Sequence, residues 1–184
     1  MSKKRQLLID TALDLFYMYG INSIGINEIL KVSGVAKKTL YSHFESKDAL
    51  ILAALEQRHL IFIDWLEDKL QRANTDEDLV SRLFIALEAW IANTDPKLGS
   101  FRGCFFINTS AEFSEPSSDI SLYCRDHKRQ VHQVITKFMP NSDPLFIDAV
   151  CIMQEGVITA AYVANDHTAA KKSIEILKKL RQSF

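Results

Sequence analysis

The chain has 184 residues, 47% hydrophobic and 24% charged, with only 6 Gly and 4 Pro. This balance excludes a disordered or collagen-like chain and suits one or two compact, helix-rich domains with a sizeable core. The formal net charge is −1, but it is unevenly spread: residues 1–50 sum to +2 and the remainder to −3, so a modest basic excess sits at the N-terminal end.

A first helix is predicted over residues 3–19. Leu8, Ala12, Leu15 and Phe16 recur there at three- and four-residue spacing, and Gly20 supplies the stop. The start of this segment is basic, but Asp10 and Asp14 make it amphipathic, so it reads as a helix and not as a secretory signal. Short helices over 26–33 and 36–44 follow, joined through Gly34. Ser46 is a good N-cap for a fourth helix running to about residue 73, with Asp48 favouring its dipole. That helix is apolar on more than one side and should be buried between two bodies. Thr75 caps a fifth helix over 76–93, which Thr94-Asp95-Pro96 ends, because the residue before Pro disfavours helix. Residues 103–113 fit either a buried strand or a short buried helix, and the helical context favours the helix. Ser117 or Ser118 caps a helix that ends near Met139. Asp143-Pro144 opens an apolar helix to about residue 165, and a last helix covers 168–181. The expected fold is all-α. No apolar run approaches the ~20 residues needed to cross a bilayer, so no membrane partner is expected.

The segment Gly34 to Leu50 carries the most chemistry. Two short helices joined by a Gly-containing turn form the helix-turn-helix arrangement, whose second helix enters the major groove of DNA. Here that helix would carry Lys37, Lys38, Thr39, Tyr41, Ser42 and His43, all able to bond phosphates or base edges. Val35, Leu40 and Phe44 are left to hold it on its neighbours. Tyr41 could equally pack against the first helix. A solvated charged face would need no such concentration of donors.

Residues 7–52 resemble the N-terminal domain of the TetR family of bacterial transcriptional regulators. The resemblance rests on Ala12, Leu15, Phe16, Gly20 and Ile21; on Ile26, Ile29, Val32, Gly34 and Val35; and above all on the unbroken run from Thr39 to Leu50. Two positions depart from the family pattern. Ala36 stands where a Ser often caps the recognition helix, and Gly25 stands where a Ser or Thr usually touches phosphate. The resemblance implies a three-helix DNA-binding head at 1–47 and a helical bundle at 48–184 for ligand binding and dimerisation. It implies a repressor released from double-stranded operator DNA by a small apolar or aromatic effector. Lys37, Lys38, Thr39 and Tyr41 would contact bases and backbone, while His43 and Lys47 would hold phosphates. It further implies a pocket among the C-terminal helices, for which Trp65, Phe105, Asn108, Glu112, Tyr123 and His127 are the candidates. The fourth helix would be the lever from pocket to head, and filling the pocket by Ala111→Trp would mimic the ligand.

An enzyme is the competing class. His127 and His132 are five apart and do not form an H-E-x-x-H site, and neither G-x-S-x-G nor G-x-x-x-x-G-K-[ST] occurs. Glu112, in an apolar helix, is the best single candidate for special chemistry, with Arg102 or Arg125 as its expected partner. No catalytic residue, metal or cofactor is expected. A helical adaptor or small-molecule-binding protein without DNA binding is the remaining alternative. Cys104, Cys124 and Cys151 lie far apart, which suits small buried side chains in a reducing cytoplasm. The last two helices carry more apolar surface than one bundle can bury, so an isologous homodimer is expected, led by Phe146, Val150, Met153, Val157 and Ile174.

Overall fold

The computed structural model describes residues 2–182, and among these it holds nine α-helices and no strand. They are α1 (Lys3–Tyr19), α2 (Ile26–Ser33), α3 (Lys37–His43), α4 (Lys47–Leu70), α5 (Asp76–Ile91), α6 (Phe105–Glu112), α7 (Asp119–Lys137), α8 (Pro144–Ala164) and α9 (Ala169–Arg181). The chain is all-α, and the ambiguous stretch after Gly103 is the short helix α6.

Local chemistry sets most boundaries. Gly20 (φ +84°) and Gly34 (φ +67°) end α1 and α2 in backbone conformations that side-chain-bearing residues rarely adopt. Ser46 Oγ accepts the Ala49 N–H at 3.0 Å, Thr75 Oγ1 accepts that of Asp78 at 3.1 Å, and Asp143 Oδ1 that of Leu145 at 2.8 Å. Each satisfies a backbone donor that the first turn of a helix leaves open. Of the two candidate caps for α7, Ser118 is the one used: its Oγ accepts the Ser121 N–H at 3.2 Å.

By packing, the chain divides into two compact units. One gathers the chain up to Leu60 with Phe105–His127; the other gathers Ile61–Cys104 with the chain from Lys128 onward. Helices α4 and α7 therefore each contribute to both. This division follows packing and does not fall at the expected boundary of 47/48.

In the first unit α1 packs on α2 and α3. Leu8, Ala12, Phe16, Ile29, Leu40, Leu50, Ile51 and Leu55 are all within 2% of full burial there. In the second unit α5, α8 and α9 pack on one another, around Leu83, Phe84, Leu87, Phe146, Val150 and Leu177. Trp65 and Trp90 lie in the same core, with Phe62 5.3 Å from Trp65 and Phe101 edge-on to Trp90 at 4.9 Å.

Two expectations need correction in this second unit. Helix α8 is long and apolar enough, by length and composition, to cross a membrane, with a mean hydropathy of 1.4. Asp148, Gln154 and Glu155 interrupt its apolar run, which is why no unbroken stretch stands out in the sequence. Its inner face packs on α5 and α9, as a core helix does. The residues expected to lead a dimer face are mostly turned inward. Phe146, Val150 and Val157 are buried within their own unit, and Met153 and Ile174 half-buried. The outer stripe of α8 is instead Leu145, Ile152, Gly156, Thr159 and Val163, all exposed and all near one line on a 3.6-residue helix.

Candidate nucleic-acid interface

The interface is built from α2, the turn Gly34-Val35-Ala36, and α3. Leu40 is fully buried and Phe44 nearly so, with Val35 beside the turn at 8% exposure. These three anchor α3 by one face. The opposite face carries Lys37, Lys38, Tyr41 and Ser42, all exposed, with Thr39 and His43 half-buried. Tyr41 is 46% exposed. Ala36 gives α3 no side-chain cap, nor does Gly25 for α2, matching the two departures read in the sequence. The first N–H groups of both helices therefore have no side-chain cap, and helix N-termini suit phosphate.

Lys47 is placed differently from the donors of α3. Its Nζ donates to the Ile21 carbonyl at 2.7 Å and lies 5.8 Å above the Phe16 ring. Burial draws its ammonium below the ordinary lysine range, opposed by Glu112 and Asp48. Arg5 lies over Phe44, 5.1 Å from the ring centroid. That ties the basic tip of α1 to the end of α3.

Of the expected effector residues, Phe105, Asn108, Glu112, Tyr123 and His127 belong to the first unit. Phe105 meets Tyr17 edge-on at 5.7 Å, and the Phe106 ring stacks flat on His127 at 3.4 Å. His127 Nδ1 lies 2.9 Å from His59 Nδ1, so one ring carries its proton there and the other accepts. Tyr123 stands edge-on to His59, and burial, with Glu56 and Asp126 nearby, pushes its phenol up to about 12. Asn108 is half-buried on α6. Thr109 Oγ1 is buried without a hydrogen-bond partner. His59 was not picked out in the sequence, although it falls four residues after Leu55 and three before Phe62, on an apolar helical face.

Trp65 belongs to the second unit. Its Nε1 donates to Asp95 Oδ2 at 2.9 Å, and Lys69 lies 3.2 Å from the same oxygen. Glu112 makes neither of its expected ion pairs. Oε1 accepts the Ile21 N–H at 2.8 Å and Oε2 the Asn22 N–H at 2.6 Å. Arg125 instead donates to the Pro116 carbonyl at 3.3 Å. Ala111 is exposed, so enlarging it would fill no cavity. Among the described residues no group of His, Cys, Asp and Glu is arranged to hold a metal ion.

Comparison with known proteins places this geometry. Residues 8–54 match the family model for bacterial regulatory proteins of the tetR family. The HTH-type transcriptional repressor NemR of Escherichia coli is 25% identical over 178 residues, covering 95% of this chain and 88% of NemR. The repressor ComR of the same organism is 25% identical over 136 residues, and the aligned part spans only 63% of its length. Among solved structures, the TetR-family regulator SCO4454 of Streptomyces coelicolor superposes with a TM-score of 0.82 at 24% identity. The superposition covers 98% of this chain and 95% of that one. Residues 8–54 therefore resemble the DNA-binding domain of tetR-family regulatory proteins, and the chain as a whole shares the fold of TetR-family regulators.

Proposed function

We propose that this chain is a ligand-responsive repressor that binds operator DNA as a homodimer and is released by a small apolar or aromatic molecule. The observation that carries the reading is α3. It presents Lys37, Lys38, Thr39 and Tyr41 away from a face held down by Leu40. A helix so oriented can offer bidentate and single donors to base edges while its neighbours hold phosphates. His43 and Lys47 fill the phosphate role, Lys47 with the two N–H groups not given to Ile21. The segment 1–47 is the DNA-reading domain, and 48–184 serves ligand binding and dimerisation.

The apolar stripe of α8 is the dimer face, with Gly156 allowing the two backbones to approach closely. Two-fold pairing of such a stripe covers it with a like surface and yields two heads for two half-sites. The effector region is the aromatic and histidine cluster of Phe105, Asn108, Tyr123 and His127. Pockets of this kind are mostly apolar with few polar groups. NemR and ComR are named as repressors, which supports repression as the mode here.

The test is a selection of duplexes from a randomised DNA pool, followed by fluorescence anisotropy on the winning sequence. A recovered palindromic sequence bound with steep salt dependence supports the reading. Failure to enrich any sequence would favour a helical protein that does not read DNA.

A further inference from the structure

The last residue of α6 is tied to the DNA-reading head by three hydrogen bonds. Besides the two backbone N–H groups that the Glu112 carboxylate accepts from Ile21 and Asn22, the Asn22 side-chain amide donates to the Glu112 carbonyl at 3.2 Å. We propose that Glu112 is a positioning residue for DNA binding, fixing the turn between α1 and α2 to α6 and so setting the angle at which α3 is presented. The regulatory reading above is its premise.

The physical case begins with the turn. After α1 ends at Gly20, the next two N–H groups point outward together and make a small anion-binding concavity. One carboxylate takes both, and a charge-assisted hydrogen bond is about twice as strong as a neutral one. Gly20 makes room for this: a Cβ there would sit 3.2 Å from Glu112 Oε1, on a backbone with φ +84°. The carbonyl of Ile21 is held in turn by Lys47 Nζ. The turn is therefore gripped by an acid from α6 and by a base from the first residue of α4.

The consequence runs along two helices. Helix α2 starts at Ile26, a few residues past the turn, and both α2 and α3 pack on α1. A displacement of the turn therefore moves the whole head and not one loop. On its other side, α6 is one rigid helix of eight residues, about 12 Å long. It carries Phe106 against His127 and the buried Thr109 one turn before Glu112. A molecule that shifts α6 at that cluster would pull on the two amides directly.

The experiment uses the full-length protein and palindromic duplexes recovered by the wild type from a randomised pool. The duplexes are then rebuilt with one or two base pairs added or removed between the half-sites. Glu112→Gln keeps the side chain's size but loses its charge and one acceptor; Glu112→Ala loses all of it. The wild type should prefer one spacing. Both variants should lose about fivefold of that preference while unfolding cooperatively, and the Ile21 and Asn22 amides should exchange about tenfold faster. If Glu112→Ala does not fold, Glu112→Gln carries the test. Unchanged spacing preference in the variants would overturn the proposal. That holds even with faster exchange, since the contact would then be structural only. A wild type that selects no duplex would instead overturn the regulator reading on which the proposal rests.

Discussion

Leu40 and Phe44 decide which side chains of α3 face outward, and the DNA contacts proposed for it follow from that orientation. With Leu40 fully buried, Lys37, Lys38 and Tyr41 lie on the exposed side of the helix. If Lys38 and Thr39 read bases, replacing either with Ala should lower affinity for the selected sequence by ~1–3 kcal/mol and relax preference at one position. Lys47→Ala should weaken all sequences alike and flatten the salt slope by about 1. Anisotropy titrations across salt concentrations separate the two patterns, and matching losses in both classes of variant would contradict the division of roles.

Asp95 is a second residue whose role is set by its partners. Burial would raise its carboxyl, but hydrogen bonds from Trp65, Lys69 and the Lys97 amide together hold it below the ordinary 3.8. A carboxyl lowered on folding adds stability that is fully present above its unfolded value and fades as pH falls through the folded one. Asp95→Asn should cost about 1–3 kcal/mol at pH 7, because it weakens bonds to an indole and an ammonium. The gap between wild type and variant should close as pH drops below about 4. Urea unfolding curves at pH 7 and at acid pH check both parts.

At the scale of elements, the helix ends are where sequence and structure agree most closely. Ser46, Thr75 and Asp143 each cap as read, because a cap is a local contact between a side chain and an amide two or three residues on. Thr75→Ala should destabilise α5 by about 1 kcal/mol. Thermal unfolding should show a lower midpoint, and an unchanged one would mean that Asp76, Glu77 and Asp78 suffice at the positive end of that helix. Helix α6 shows the opposite case. Its apolar run fits strand or helix equally, and only its surroundings decide. Its Glu112 looked like a buried acid in need of an arginine, but its partners lie 91 and 90 residues away in the backbone of a turn. No spacing rule within one sequence exposes a contact of that kind.

For the molecule as a whole, the apolar stripe of α8 is the feature that most needs a partner. Ile152 is 71% exposed and Val163 76%. Ile152→Asp should place two like charges against each other across a two-fold axis and shift the protein toward monomer. Sedimentation should then fall from about twice the 20.9 kDa chain mass toward that mass itself. A variant that remains dimeric at micromolar concentration would place the interface elsewhere. Duplex affinity should fall in parallel, because one head can hold only one half-site.

The helical class, most helix ends, and the family resemblance of the N-terminal segment were legible in the residues alone. Those features depend on neighbours within about four residues: caps, stops, apolar periodicity, and a run of residue types from Thr39 to Leu50. Tertiary structure decided what periodicity cannot. Phe146, Val150 and Val157 share an apolar helix with Ile152 and Val163, and hydrophobicity does not say which side turns inward. His59 meets His127, and Glu112 meets Ile21 and Asn22, only because folding brings distant segments together. The physical reason is one of range. Local hydrogen bonds and helical periodicity are written in adjacent residues, whereas burial and polar satisfaction depend on which other helix arrives on a given face.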